Sequence, residues 1–428
     1  MLTKRFSRWA MLVTCVILAQ TFSPFMQAAQ AAEQVDLGLN VRAAVLMDAE
    51  TGQILYAENE DQPYQPASMT KMMTEYLVME EIEAGRMTWD TMIYTTKAAA
   101  DAIGSGQQMA EGESYDARKV FELLSIYSGN DAAVAFAEHI VGTEEQFAKL
   151  MNDTAKKLGL SSGTHFINST GLSRRDMGEY APASIEGETL LTALDAAKLA
   201  QAIILEHPEV LEITKIPSLK FNENDPKPMV NWNWMVEANK DNPNLRKYAY
   251  EGLDGLKTGH TSDAGYCFTG TAERDGMRLI SVVMGAASEH ARFMETRKLL
   301  DYGFNTFEKR TILAAKTELP DVKTVHIRNG LKQDVPVVVG EGIQLVVPKT
   351  EEATPQLEAK VYPPEQLSAP LKAEDQVGTV EVTYGDLKME VPLIVTEDVE
   401  KAGWFRMMMR GIGGFFSGLF GGIVGLFK

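Results

Sequence analysis

Residues 67–75 have the sequence Ala-Ser-Met-Thr-Lys-Met-Met-Thr-Glu, which places a hydroxyl, Ser68, three positions before an ammonium, Lys71. Apolar side chains recur at helical spacing from here onward, so we predict a buried amphipathic helix from about Ser68 to Ala84. Side chains three residues apart on a helix are neighbours, with Cβ atoms ~5–6 Å apart, and Lys71 can therefore reach the Ser68 hydroxyl. The pattern predicts a nucleophile and its base on one helical turn.

The pair also has an ordinary interpretation. Ser68 could be only a helix cap after Pro66, and Lys71 only a solvated surface side chain. A serine and a lysine at this spacing arise roughly once by chance in a chain of this size, so the pair by itself carries little weight.

Two later stretches contain polar groups of the same kind. Residues 128–130 (Ser-Gly-Asn) lie between apolar helical runs, which predicts an interhelical turn where the glycine lets the backbone leave the helix. Residues 257–260 (Lys-Thr-Gly-His) lie in a predicted strand, followed by a hairpin over 265–284. Gly259 has no Cβ, so a ligand could approach the backbone there. Each stretch alone is also consistent with a capped turn or with a plain strand carrying an exposed lysine.

The patterns S-x-x-K, S-x-N and K-T-G each occur once, in that order. With them the sequence resembles the penicillin-recognising serine acyl transferases, which include penicillin-binding proteins and class A β-lactamases. More narrowly it looks like the low-molecular-mass D-alanyl-D-alanine carboxypeptidases, from about Val41 to the C-terminus. Ser169 and Leu194 depart from residues common in that family, outside the three patterns. Further similar segments are residues 128–133, 168–172, 192–195, 231–233 and 254–272.

The resemblance implies acyl transfer through a covalent ester on Ser68, with Lys71 as the base. Ser128 would pass a proton between a lysine and the departing amine. Asn130 would hold a substrate amide and help to orient Lys71. These four side chains are therefore the expected catalytic and amide-binding groups.

The resemblance also implies how the substrate would be held. Lys257 and the Thr258 hydroxyl would bind its terminal carboxylate, which explains selection of a free C-terminus. The backbone N–H groups of Ser68 and of His260, the residue after Gly259, would form the oxyanion hole. The His260 side chain is expected only to pack beside the strand. No metal or other cofactor is implied, and no H-E-x-x-H pattern occurs among the six histidines.

Length, charge and cysteine content narrow the class of protein. The chain has 428 residues and a formal net charge of -18, which argues against nucleic acid as a partner. Residues 1–31 have the basic start, apolar run and small-residue site of a secretory signal peptide, with an uncleaved anchor as the alternative. Without them only Cys267 remains, so we expect no internal disulfide and a core position for this thiol.

The predicted fold class is α+β. Residues 34–312 are assigned to a penicillin-recognising catalytic domain of β-lactamase/transpeptidase type, with an antiparallel sheet and a helical subdomain. Residues 314–395 contain short alternating runs and turns, which predict a small all-β domain. Residues 399–428 are assigned to a C-terminal amphipathic helix lying in the membrane surface. A transmembrane helix is the weaker interpretation because the uncharged run 411–427 falls short of ~20 residues, and packing on the protein itself is a third.

Together these features predict an exported serine-type D-Ala-D-Ala carboxypeptidase at the outer face of the cytoplasmic membrane, held peripherally by its C-terminal helix. Its expected substrate is the peptidoglycan stem pentapeptide, and β-lactams would acylate it as inhibitors. A serine β-lactamase is the competing enzyme, against which stands the lack of an E-x-x-L-N stretch. A catalytically weak wall-binding or scaffolding protein is the competitor from another class, against which stand the three intact patterns.

Overall fold

The computed structural model describes residues 35–106, 108–350, 352, 354–384 and 387–410. The predicted signal peptide, residues 1–31, lies outside them, as does the predicted C-terminal helix beyond residue 410. The described residues from 39 onward belong to one compact unit.

Among the described residues, the strands form a central sheet, two short two-stranded sheets and two C-terminal sheets. The central sheet is antiparallel with the order β2-β1-β9-β8-β7, so β7 is an edge strand. The strands of this part are β1 (Ala43–Asp48), β2 (Ile54–Glu58), β3 (Met92–Tyr94), β4 (Ser114–Asp116), β5 (Ser218–Leu219), β6 (Met229–Val230), β7 (Leu253–Thr261), β8 (Gly265–Arg274) and β9 (Met277–Ala286).

The hairpin predicted over residues 265–284 of this sheet is confirmed. β1 pairs with β2. β8 pairs with β9, and Arg274 and Met277 are the paired residues next to the turn that joins these two strands. All six residues of β1 are buried, as expected when helices cover both faces of a strand. Cys267 on β8 is buried too, as predicted, and burial raises the pKa of its thiol to about 11.

The helices pack around this sheet and around one another. Six begin at a Ser, Thr or Asp whose side chain accepts a hydrogen bond from the backbone N–H three residues on, the usual N-cap. The helices are α1 (Lys71–Glu83), α2 (Lys97–Asp101), α3 (Ala117–Ile126), α4 (Asn130–Val141), α5 (Glu144–Lys157), α6 (Arg174–Met177), α7 (Ala193–Glu206), α8 (Val210–Thr214) and α9 (Glu289–Thr306).

The helix predicted around Lys71 is present, but it is not amphipathic over its first half. A 3₁₀ turn, Ala67–Thr70, leads into α1, and every residue from Lys71 to Met79 is buried. The physical reason is that α3, α4, α5 and α7 all pack against this helix, so no face of its first half remains for solvent. The polar side chains of this half are therefore interior groups.

The predicted C-terminal all-β part is confirmed. Two sheets, β11-β12-β16-β15-β14 and β10-β13, enclose a separate apolar core. This part begins earlier than predicted. Its first strand, β10, covers residues 307–313, before the predicted start at residue 314, and it pairs with β13. The strands are β10 (Phe307–Leu313), β11 (Thr324–His326), β12 (Asp334–Val339), β13 (Ile343–Pro348), β14 (Gln356–Val361), β15 (Gln376–Tyr384) and β16 (Leu387–Val395).

The described start of the C-terminal segment is helical over residues 404–410. Trp404 and Phe405 are 73% and 59% exposed, and Met408 and Met409 are also exposed. The guanidinium of Arg410 donates hydrogen bonds to two backbone carbonyls of the β-domain, those of residues 330 and 331. Within the described residues, no helix has the length and apolar character needed to cross a membrane.

Candidate active site

The nucleophile candidate Ser68 lies in the 3₁₀ turn that precedes α1. Two glycines allow other parts of the chain to close on this turn. A Cβ on Gly171 would lie 2.0 Å from the carbonyl oxygen of Ala67, and a Cβ on Gly259 would lie 2.4 Å from that of Pro66. The turn is thus held between the loop at residue 171 and strand β7. The sequence suggested that the bare Gly259 backbone admits a ligand, but the chain's own turn occupies that space.

Lys71 is fully buried one helical turn below Ser68. Its Nζ donates to Ser68 Oγ at 3.1 Å, to Asn130 Oδ1 at 2.6 Å and to the carbonyl oxygen of Thr170 at 2.8 Å. Burial, and then the charge of Lys257, hold the pKa of Lys71 well below its ordinary value. A lysine whose pKa is lowered in this way loses its proton more readily and can then accept one from a hydroxyl. The interpretation of Lys71 as a solvated surface side chain is wrong.

The turn at residues 128–130 brings two more polar groups to the same place. Ser128, not the glycine, adopts the left-handed conformation, with φ of 63°. Gly129 is needed for space, since a Cβ there would lie 2.8 Å from both Leu123 Cγ and Asp131 Oδ1. Asn130 begins α4, and its Nδ2 donates to the backbone oxygen of Ile103. The Ser128 hydroxyl is buried and has no hydrogen-bond partner among the described residues.

Strand β7 supplies the opposite wall. Lys257 is only 2% exposed, which rules out the exposed-lysine interpretation, and its Nζ lies 3.4 Å from the carbonyl oxygen of Thr258. Burial lowers the pKa of Lys257, and ionised Glu75 opposes this shift. The His260 ring is exposed and stacks on Tyr266 with centroids 4.0 Å apart, as expected for a packing side chain.

These elements enclose a cavity of about 230 Å³. Ser68 and Ser128 face it from the helical side, and Thr258, Gly259 and His260 face it from β7. Lys71 Nζ donates hydrogen bonds to both Ser68 Oγ and Asn130 Oδ1 and so connects these two residues. The structure therefore brings together all three sequence patterns, although they are separated by about 60 and 130 residues along the chain.

Two charged residues of the site were not predicted. Arg292 on α9 is 2% exposed and lines the cavity, where its Nη1 lies 3.4 Å from the carbonyl oxygen of Gly259. Glu75 is completely buried, and desolvation raises the pKa of its carboxyl to about 7 against the opposing effect of Lys257. The position of Glu75 four residues after Lys71 was a usable signal, because both fall on one helix face. No sequence pattern pointed to Arg292.

Comparison with known protein families gives two matches along the chain. Residues 27–288 match the family of D-alanyl-D-alanine carboxypeptidases. Residues 307–401 match the C-terminal domain of penicillin-binding protein 5.

Individual relatives extend over nearly the whole chain. The D-alanyl-D-alanine carboxypeptidase DacF of Bacillus subtilis is 32% identical over 399 residues, covering 93% of this chain and 96% of its own. The D-alanyl-D-alanine carboxypeptidase DacC of Escherichia coli is 34% identical over 393 residues, covering 89% and 90%.

Solved structures give the same result. A peptidoglycan synthesis regulatory factor, PBP3 of Streptococcus pneumoniae, superposes with a TM-score of 0.74 at 30% identity, covering 85% of this chain and all of that one. Penicillin-binding protein D2 of Listeria monocytogenes, in its ampicillin-bound form, superposes with a TM-score of 0.54 at 34% identity, covering 63% of this chain and all of that one.

Proposed function

Because the chain belongs to the D-alanyl-D-alanine carboxypeptidase family of serine-type hydrolases, we propose that it removes the terminal D-alanine from peptidoglycan stem pentapeptides through an acyl-enzyme. The observation that carries the mechanism is the buried Lys71 amine 3.1 Å from the Ser68 hydroxyl. A neutral amine at that distance can take the hydroxyl proton as Ser68 Oγ attacks the carbonyl carbon between the last two D-alanines.

Collapse of the tetrahedral intermediate then needs a proton on the departing amine. Ser128 is suited to deliver it, because its hydroxyl faces the same cavity as Ser68 and is not engaged elsewhere among the described residues. The proton taken by Lys71 would pass through Ser128 to the leaving D-alanine. Asn130 holds Lys71 in place through its Oδ1, and its amide would also bind the substrate amide.

The free C-terminal carboxylate of the substrate would be bound at the β7 side. Thr258 and Arg292 line that part of the cavity, and Lys257 is buried next to Thr258 on β7. A carboxylate there would gain charge-assisted hydrogen bonds and would offset the cost of two buried cations. Such a site would require a substrate with a free C-terminus. We add Arg292 to Lys257 and Thr258 as a proposed carboxylate-binding residue.

The backbone N–H groups of Ser68 and His260 are proposed as the oxyanion hole. The close approach of Gly259 to the Ser68 turn supports this, because an atom at the Gly259 Cβ position would lie 3.2 Å from the Ser68 nitrogen. A water molecule would then attack the ester, release the shortened peptide and restore the Ser68 hydroxyl. β-Lactams would form the same ester on Ser68, and the likeness to an ampicillin-bound protein supports that assignment.

We propose a signal peptide over 1–31, a catalytic domain from residue 34 to the end of α9 at residue 306, a β-domain over 307–401 and an amphipathic helix from residue 404. The bounds 312 and 314 expected from the sequence are corrected because residues 307–313 pair with β13, and the expected helix start at 399 is corrected because Val399 and Lys401 form β-bridges. Exposed Trp404 and Phe405 at the start of this helix support peripheral attachment to the membrane surface. The protein would then act outside the cytoplasmic membrane, where its peptidoglycan substrate lies.

The test follows release of D-alanine from diacetyl-Lys-D-Ala-D-Ala by the mature chain. We expect steady release that is lost in Ser68→Ala and that stops after stoichiometric acylation by benzylpenicillin. Rapid turnover of penicillin without D-alanine release would instead indicate a β-lactamase. Absence of both activities in a folded protein would favour a binding or scaffolding role.

A further inference from the structure

A second cluster of ionisable side chains lies at the far end of α1. His207 directly follows α7, and its ring is 2% exposed. Its Nε2 lies 3.0 Å from Oε1 of Glu80 on α1. Glu206, the last residue of α7, completes a group in which one ligand atom from each residue lies within 4.8 Å of the others. Glu80 is nine residues from Lys71, or about 14 Å along the helix, so the cluster is separate from the catalytic site.

We propose that His207, Glu80 and Glu206 bind a divalent transition-metal ion, with Zn²⁺ as the ion that best fits one imidazole nitrogen and two carboxylates. Zinc commonly takes four ligands from this donor set, with water in any position that the protein leaves open. The 3.0 Å between His207 Nε2 and Glu80 Oε1 is close to the separation of two ligands about 2 Å from one ion. Small side-chain rotations of the two glutamates would complete the coordination.

The surroundings supply the outer contacts that metal ligands usually have. The Tyr76 hydroxyl donates to Glu206 Oε2 at 2.6 Å, which leaves Oε1 for the ion. The Tyr76 ring also packs edge-on against His207, with centroids 5.3 Å apart, and fixes the imidazole. Glu83 Oε2 lies 3.9 Å from His207 Nδ1, so a slight movement would let Nδ1–H donate to a carboxylate while Nε2 binds metal.

The charge balance also favours a cation. Three glutamates, at positions 80, 83 and 206, surround one imidazole, and their described ion pairs include no lysine or arginine. Arg86 is ion-paired with Glu81 instead. The glutamates are partly exposed, so an ion has an entry path.

The competing explanation is a plain ion pair between protonated His207 and Glu80. His326 and Asp334 in the β-domain form such a pair at 3.1 Å, and neither belongs to a described group of three metal-binding side chains. His326→Asn is therefore the matched control. The proposed ion would join α1 to the end of α7 as a structural clip, and it takes no part in the proposed carboxypeptidase reaction.

The experiment is calorimetric titration of the chelator-treated mature chain with ZnCl₂, followed by thermal melting with and without zinc. We expect one equivalent to bind and the melting midpoint to rise. Affinity should fall by at least about 100-fold in His207→Asn and by about 10- to 100-fold in Glu206→Gln and Tyr76→Phe, and it should not change in His326→Asn.

Glu206 is exposed, so Glu206→Gln tests the proposal even if His207→Asn fails to fold. Penicillin acylation by each variant verifies its fold independently of zinc. Binding of less than about 0.1 equivalent by the wild-type chain would overturn the proposal. Stoichiometric binding that is unchanged in Glu206→Gln and Tyr76→Phe would also overturn it.

Discussion

At the scale of single residues, the candidate site contains two buried lysines, Lys71 and Lys257, and one buried carboxyl, Glu75, affects the pKa of both. Ionised Glu75 raises the pKa of both Lys71 and Lys257, against the larger effect of desolvation. The proposed reaction needs Lys71 without its proton and Lys257 with its proton. The activity therefore has a pH window, which begins as Lys71 loses its proton and ends as Lys257 loses its own.

Replacing Glu75 should move this window. In Glu75→Gln the carboxylate is gone, so the pKa of Lys257 falls and the alkaline limb of kcat/KM should shift to lower pH by on the order of one unit. The measurement is the pH profile of D-alanine release. Glu81→Gln, on the same helix but paired with Arg86, is the control and should leave the profile unchanged. An unshifted profile in Glu75→Gln would show that Glu75 does not set the lysine charges.

The sequence predicted most of the polar residues that meet at the candidate site but not their environment. Ser68, Lys71, Ser128, Asn130 and Lys257 fall in three short local patterns, and the occurrence of all three in one order is what made them recognisable. The burial of Lys71 and Lys257 depends on packing by several helices and by β7, which no local pattern contains. For the same reason Arg292, which comes from the distant α9, was missed.

At the scale of elements, β7 and the Ser68 turn can pack in close contact because Gly259 has no side chain. A Cβ at Gly259 would meet the Pro66 oxygen at 2.4 Å and the Met69 nitrogen at 3.0 Å, both backbone atoms that cannot rotate away. The turn and the strand would have to separate. The predicted helix, turn and hairpin were correct as elements, but their contact could not be predicted because it joins residues almost 200 positions apart.

Gly259→Ala should therefore damage the site more than the fold. We expect a loss of about 1–3 kcal/mol in the free energy of unfolding, and a fall in the penicillin acylation rate that this loss does not explain. Chemical denaturation and acylation by a fluorescent penicillin measure the two effects. Gly403→Ala is the control, because a Cβ there meets nothing within 4 Å. Wild-type acylation in Gly259→Ala would contradict the tight contact.

At the scale of the whole molecule, the enzyme combines a catalytic part, a β-domain and an exposed apolar helix start. The β-domain has its own core, and the alternating strands in the sequence were sufficient to predict it. The junction was harder to predict, because β10 directly follows α9 and its sequence alone does not indicate which part it joins.

Membrane attachment makes a prediction at this scale. The mature chain should sediment with vesicles that contain anionic lipid, and a chain ending at residue 403 should stay in solution with unchanged D-alanine release from a soluble tripeptide. Substituting serine for Trp404, Phe405 and Met408 should weaken sedimentation by several-fold. Equal sedimentation of the truncated and complete chains would place the membrane contact elsewhere.

The left-handed backbone of Ser128 has a consequence for how the protein balances folding against catalysis. A non-glycine residue in that conformation costs on the order of 1–2 kcal/mol. Folding thus tolerates a local cost at a residue that lines the candidate site. Selection for heat resistance alone would favour glycine at this position and would remove the hydroxyl, so stability and the proposed catalysis make opposite demands on residue 128.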